Sequence, residues 1–325
     1  MIGRITQMMT SQQTISELSQ SLDTMDTTQE EISSGKAISQ PSDNPYGASQ
    51  VITLNGDLSS LTNYSSNITD ATAWTSATDT SLTSIDNLVQ RVQELTVAAA
   101  SGTSSAADRS DSAQEVNQLI DSIKAEANTQ YSGQYIFGGT GPATASTTTP
   151  PTIPPPYGTT TYSSTTPPVP NPLGLNDGYS GNSGAVTRAI GPGSTVTVNT
   201  DLSQLLGGSS TSTGNLLAVL RNISADMSGT GTTSNLGTTD LSALQSNLNA
   251  LGGMQANVGS TEDRLQLATT RISNLQISDT AALSNVQDVN MAQALTDYSN
   301  EQASYTAALK VGASIVQESL LNFLN

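Results

Sequence analysis

Near the N-terminus, Met8, Ile15, Leu18, Leu22, Met25 and Ile32 occupy the a and d positions of a heptad, with polar Ser11 and Gln29 completing it. Near the C-terminus, Leu295, Gln302, Leu309, Val316 and Phe323 recur every seventh residue, and Ala313 and Leu320 continue the offset position. Both stretches are nearly free of Gly and Pro. Each carries a narrow apolar seam on a surface of Ser, Thr and Gln. A seam this thin suits a coiled-coil partner better than a globular core. The two termini are therefore expected to pair with each other or with neighbouring chains, and everything between them is a long excursion from one stalk.

The first helix is expected over about 5–35. It ends before Ser39-Gln40-Pro41-Ser42-Asp43-Asn44-Pro45, where two prolines block propagation and Asn44 can cap a new helix with Pro45 at its first position. A domain boundary belongs there. The next helical region carries Val51, Leu54, Leu58, Leu61 and Ile68, then Leu82, Ile85, Val89 and Val92. Trp74 stands between the two runs, where the register slips, and reads as a packing anchor. The helix should stop near 100–103, and another begins around Asp108 with Val116, Leu119, Ile120 and Ile123 inward.

Gln134–Gly139 is a short strand-like stretch closed by a glycine pair. The character then changes over 141–212. Most of the chain's 13 prolines fall between Pro150 and Pro172, which predicts an extended, polyproline-like exposed loop. Thr195–Val198 alternates with period two after the Gly191-Pro192-Gly193 turn and reads as a strand. Helical periodicity returns at Leu216–Ile223. A long heptad run follows through Leu241, Leu244, Leu248, Leu251, Val258, Leu265 and Ile272, with a kink expected at Gly252-Gly253. The last helix is expected to start beyond 277–280.

This layout is nested. Residues 1–44 with 281–325 form a terminal coiled-coil assembly domain, 45–140 with 214–280 a helical rod domain, and 141–213 an exposed β-rich, Pro/Thr-rich insert. The fold class is mainly α: an elongated helical-bundle and coiled-coil rod with both termini at one end, plus the small β insert. A 30-residue helix adds roughly 45 Å of length to such a rod.

Composition agrees with thin cores. Of 325 residues, 35% are hydrophobic, 4% aromatic and 11% charged. The net charge of −17, with ten scattered Lys and Arg, argues against a nucleic-acid surface or an anionic-membrane patch. No apolar run approaches the roughly 18 residues that membrane insertion needs. The opening residues lack a charged segment followed by an apolar one, so export without a cleaved hydrophobic signal is expected.

Candidate chemistry is sparse. With no Cys and no His, thiol catalysis, disulfides, histidine triads and histidine metal sites drop out. Asp108, Asp111 and Glu115 share a helix face beside Arg109 and define the one hydrolase option. A solvated face with acidic residues near a helix N-terminus is the simpler reading. Gly138-Gly139-Thr140-Gly141 lacks the Lys-Ser/Thr of a phosphate loop and reads as a turn. No catalytic residue, cofactor or metal is assigned. The seams remain the informative feature, and the smooth, weakly charged faces around them suit close packing against identical or similar neighbours.

Several motifs resemble the flagellin superfamily. Met1-Ile2-Gly3-Arg4-Ile5-Thr6-Gln7-Met8-Met9 is similar to its opening. Ser34-Gly35-Lys36 followed by Gln40-Pro41-Ser42-Asp43-Asn44-Pro45 and Ala48-Ser49 resembles a segment shared across it, as does Leu88–Leu95. Tyr135-Ile136-Phe137-Gly138-Gly139 and the tail from Tyr298 to Leu324 are closer to hook-associated proteins of the hook–filament junction than to filament flagellins. The resemblance covers roughly 1–140 and 214–325. It implies a non-enzymatic structural subunit of the bacterial flagellum, exported unfolded. Its implied partners are copies of itself, another flagellar hook-associated protein, flagellin, and an export chaperone bound at the C-terminal helix. Three alternatives stay open: a filament flagellin, an extracellular adhesin that binds through the insert, and a hydrolase built on the acidic trio.

Overall fold

The computed structural model describes residues 7–140, 155–157, 179, 181–207 and 214–324. Among these the architecture is mainly α. Helices α1 (Gln7–Ser34), α2 (Pro45–Ala100) and α3 (Ala106–Ala127) come first. Two hairpins follow, β1 (Gln130–Tyr131) with β2 (Gln134–Tyr135), and β3 (Thr187–Gly191) with β4 (Ser194–Thr197). Then come α4 (Ser203–Leu206), α5 (Leu216–Ser228), α6 (Leu241–Gln287) and α7 (Met291–Leu324). A 3-10 turn at Thr233–Asn235 and a π-helical turn at Leu236–Asp240 lead into α6. The chain forms two compact units, Met1–Leu61 with Ser273–Asn325, and Thr62–Ile272. Their divisions fall inside α2 and α6.

In the first unit α1 packs along α7. The two run antiparallel: Thr28 bonds Glu301 at 3.0 Å, and Thr14 lies beside Gly312, whose added Cβ would come within 3.3 Å of its methyl. The last helix starts later than the sequence pattern suggests. α6 runs through 277–280 to Gln287, and the break falls at 288–290. α6 also passes Gly252, Gly253 and Gly259 without a break in helical structure.

In the second unit one stripe of α2 is buried: Ile68, Ala71, Thr75, Thr78, Leu82, Ile85, Val89, Val92, Thr96 and Ala99. Their spacing alternates three and four without interruption. The register therefore does not slip at Trp74; alanine and threonine fill the heptad there, and Trp74 packs beside them. The buried hydroxyls of Thr75, Thr78 and Thr96 donate to carbonyls of their own helix, at Ala71, Trp74 and Val92. α6 buries Leu244, Leu251, Val258, Leu265 and Ile272, one per heptad. α3 buries Val116, Ile120 and Ile123, while Leu119 is only half-buried. α5 is buried over most of its surface, Ser224 and Asp226 included, and packs against α3, α4 and the π turn.

Both hairpins sit in this second unit. β1 and β2 turn at Ser132-Gly133, both with positive φ, the conformation a two-residue hairpin demands. β4 is the expected strand, and β3 pairs with it across the expected Gly191-Pro192-Gly193 turn. Arg188 of β3 donates to Asp70 at 2.7 Å and Asn67 donates to the Ala189 carbonyl at 3.1 Å, which docks the hairpin on α2. Trp74 meets Tyr131 edge-on at 5.8 Å, with the Arg188 guanidinium 6.0 Å from its ring.

Most of the expected polyproline stretch lies outside the described residues. Where it is described it is not exposed: Pro156 and Tyr157 are buried. The Asn128 amide holds Tyr157 in place, donating to its carbonyl at 2.7 Å and accepting from its N–H at 2.9 Å. Gly139 belongs to a tight turn, since any Cβ there would overlap the Asn182 carbonyl oxygen.

Candidate assembly interface

The chemistry of the first unit is that of a packing surface. Leu18, Met25 and Ile32 face inward, half-buried, but the line that alternates with them is Thr14, Ser21 and Thr28. Ile15 and Leu22, one residue further along, are 60% and 36% exposed. On α7 the inward positions are Ala294, Tyr298, Glu301, Tyr305, Ala308 and Gly312. Leu295 and Leu309 are 53% and 43% exposed, and Gln302 is exposed with them. The seam read from sequence thus divides in two. Small residues share the inward faces with Leu18, Met25, Ile32, Tyr298 and Tyr305, and a second apolar line on each helix faces away from the pair. The side chains of Met8, Val316, Leu320 and Phe323 lie outside the described residues.

At the inner end the pair is clasped by main chain. Gly35, at φ +72°, ends α1 in the left-handed conformation that helix C-termini favour, its N–H bonding Glu31 O at 2.8 Å. Lys36 then bridges Asp288 in antiparallel fashion. Ala37 N–H donates to Gln287 O at 2.7 Å, and Val289 N–H donates to Gly35 O at 3.0 Å. The segment leaving α1 and the segment entering α7 are therefore stitched together.

The Pro41–Pro45 motif builds the turn beyond the clasp. Pro41 and Ser42 are exposed on it. The Asp43 carboxylate accepts from Ser39 N–H at 3.0 Å and Gln40 N–H at 2.9 Å, and these bonds hold it below the usual carboxylate range. Asn44 accepts from Gly47 N–H at 3.0 Å and caps α2, with Pro45 at the first helical position. Gly47 is packed closely, since a Cβ there would stand 2.5 Å from Ile38 Cδ1 and 2.9 Å from Asn44 Nδ2 and would make both side chains shift.

A group that the sequence pattern did not single out sits inside the seam. Glu31 is raised above its ordinary value by burial first, then by Asp43, Glu301 and Asp297. Its position at a half-inward turn of α1 becomes meaningful only once α7 lies beside it.

The acidic trio of α3 has structural duties. Ser105 and Asp108 form a reciprocal capping box, which lowers the Asp108 carboxyl. Glu115 pairs with Arg91 at 2.8 Å, and Asp111 is exposed. Arg109 donates to the Ser104 carbonyl at 2.7 Å. Asp108 and Glu115 are thus engaged with different partners, the α3 cap and Arg91. Among the described residues no helix is long and apolar enough to cross a membrane.

A long first helix, an Asn-capped turn, a second long helix and a paired C-terminal helix agree with what known proteins show. The profile of the bacterial flagellin N-terminal helical region matches residues 5–141, and that of the bacterial flagellin C-terminal helical region matches 241–324. Together they span more than half of the sequence, and the chain belongs to the flagellin family. It is thereby a structural component of the bacterial flagellum, a class that associates with itself and with other flagellar subunits.

Solved structures share the fold. A Vibrio parahaemolyticus protein assigned to the flagellar hook-associated proteins has 18% identity and a TM-score of 0.60, covering 76% of this chain and 100% of its own. Bacillus cereus FlgL has 18% identity and a TM-score of 0.54, covering 71% and 99%. The flagellar hook associated protein-3 of Legionella pneumophila has 13% identity and a TM-score of 0.57, covering 73% and 98%. No curated protein matches the chain by sequence.

Proposed function

We propose that this chain forms the junction between flagellar hook and filament, and that the outward apolar lines of α1 and α7 are its axial contacts. The observation that carries this reading is the division of the seam. Ile15, Leu22, Leu295 and Leu309 stay in water although α1 and α7 are already paired, and exposed large apolar rows of this kind mark association surfaces. Residues 1–44 with 281–325 act as the assembly domain and 45–140 with 214–280 as the supporting helical domain, against which the described part of 141–213 packs. The partners are further copies, another hook-associated protein and flagellin. The chain leaves the cell unfolded, escorted by a chaperone on its C-terminal helix, and functions outside the cell.

Purified protein added to isolated hooks tests the reading. A junction subunit adds as a short terminal layer and stops, and subsequent flagellin grows from it. Growth of long filaments from this chain alone means that it is a filament flagellin. Removal of 158–178, which spares the buried Tyr157, Leu202, Leu205 and Leu206, leaves motility intact, whereas an adhesin acting through that stretch loses surface binding.

A further inference from the structure

The second unit holds a pair of carboxyl groups that no assembly role uses. Asp226 on α5 and Asp240 at the end of the π turn are each only 6% exposed, and the two carboxyl groups lie close enough for one to bond the other when a proton is present. Asp226 Oδ1 also accepts from Thr232 N–H at 2.6 Å, whereas Asp240 Oδ2 is buried with no hydrogen-bond partner among the described residues. The backbone closes tightly over them: a Cβ on Gly231 would overlap Asp226 Oδ1. A carboxyl–carboxyl hydrogen bond needs a proton, because two ionised carboxylates have only acceptors.

We propose that Asp226 and Asp240 share one proton and act as an acid-operated latch that closes the 229–240 connection onto α5. With the proton present, one carboxyl O–H donates to the other carboxylate. Its loss leaves two buried negative charges facing each other, and Asp226 stands at the last turn of α5, where the helix dipole disfavours its charge further. A hard cation fits less well, because Asp226 Oδ1 already faces an N–H donor and no third acidic, histidine or cysteine ligand joins the pair among the described residues.

The charges around the latch are few. α5 brings Asp226 and, five residues earlier, Arg221. The 3-10 turn Thr233–Asn235 and α4 bring none, and α3, packed on α5, brings Arg109, which is bonded to Ser104 O, and the buried Lys124 toward its other end. Asp240 is pushed up to about 6, by burial first and by Asp226 second. A carboxyl raised in the folded state contributes stability that is fully present below its ordinary value of 3.8 and is lost as pH rises through about 6. Each pH unit in that window changes the folding equilibrium about tenfold, about a hundredfold in all.

Trp74 is the chain's single tryptophan, is buried, and belongs to the second unit, so its fluorescence follows unfolding of that unit. Urea unfolding of the full chain is compared for wild type, Asp240→Asn and Asp226→Asn between about pH 4 and about pH 7. Asparagine imitates the protonated acid, so the ratio of variant to wild-type folding constants rises with pH, by about a hundredfold for Asp240→Asn. A ratio that stays constant in both variants overturns the latch. So does a wild type stabilised at pH 7.5 by millimolar calcium or magnesium when Asp240→Asn is not, which assigns the pair to a cation instead.

Discussion

Leu309→Asp is expected to separate assembly from folding. Leu309 keeps 43% of its surface in water, so the isolated chain loses little burial when it is replaced. Exposed substitutions of this kind shift stability by about 0.5 kcal/mol or less. Full burial of a leucine is worth about 1.5–3 kcal/mol, so a neighbour that covers the remaining 43% gains roughly 0.6–1.3 kcal/mol. An aspartate forfeits that gain and adds about 2 kcal/mol or more for burying an unpaired polar group. A loss of about 3 kcal/mol per contact weakens it on the order of a hundredfold. Complementation of cells lacking the chain, scored by flagellar number and swimming, reads the assembly loss. Helix content and Trp74 fluorescence of the purified variant read the fold, and both should be unchanged. The inner-line substitution Ala294→Asp is the control: Ala294 is 4% exposed, so a carboxylate there disrupts the α1–α7 pair itself. Normal flagella in the Leu309→Asp strain, or loss of helix in the isolated variant, would refute the assignment of an outer contact line.

Gly47→Ala overpacks the turn against Ile38 and Asn44. The cost of about 1–3 kcal/mol outweighs the ~1 kcal/mol that alanine gains in a helix, and a first-unit calorimetric transition that does not fall contradicts the packing. Glu31→Gln raises the stability of the same unit at neutral pH, because the raised carboxyl is costly once ionised among Asp43, Glu301 and Asp297. That benefit shrinks as pH falls toward the carboxylate range, and a benefit that grows on acidification has the wrong sign. Arg188→Gln releases the β3–β4 hairpin from Asp70. The pair is partly exposed, so the cost is about 1 kcal/mol, accompanied by a shift in Trp74 emission that an unrelated surface change does not produce.

Helix identity was legible because the apolar period is long and regular. α1, α2 and α5 begin and end close to their expected positions, and the Asn44-Pro45 start of α2 follows from cap chemistry alone. Phase was less legible. A rule that looks for apolar residues in a seam finds Leu18, Met25 and Ile32, which do face α7, but it also selects Ile15 and Leu22, where the inward line is completed by Thr14, Ser21 and Thr28. The same blindness to small residues placed a slip at Trp74, where Ala71, Thr75 and Thr78 keep the heptad intact. The start of α7 was misplaced because Asp288–Asn290 contains neither Gly nor Pro. Its break is fixed by main-chain bonds to Gly35 and Ala37, more than 200 residues away in sequence. Glu31, Asp226 and Asp240 are ordinary acidic residues until tertiary structure buries them, and no local spacing marks them out.

The buried threonines of α2 have a mechanical consequence. Thr75, Thr78 and Thr96 spend their hydroxyl protons on their own helix, so those donors make no directional demand on whatever packs against that face. Fit on that face is therefore set by side-chain shape: Leu82, Ile85, Val89 and Val92 are fully buried along it, and close packing alone fixes which axial offset a neighbouring helix can take.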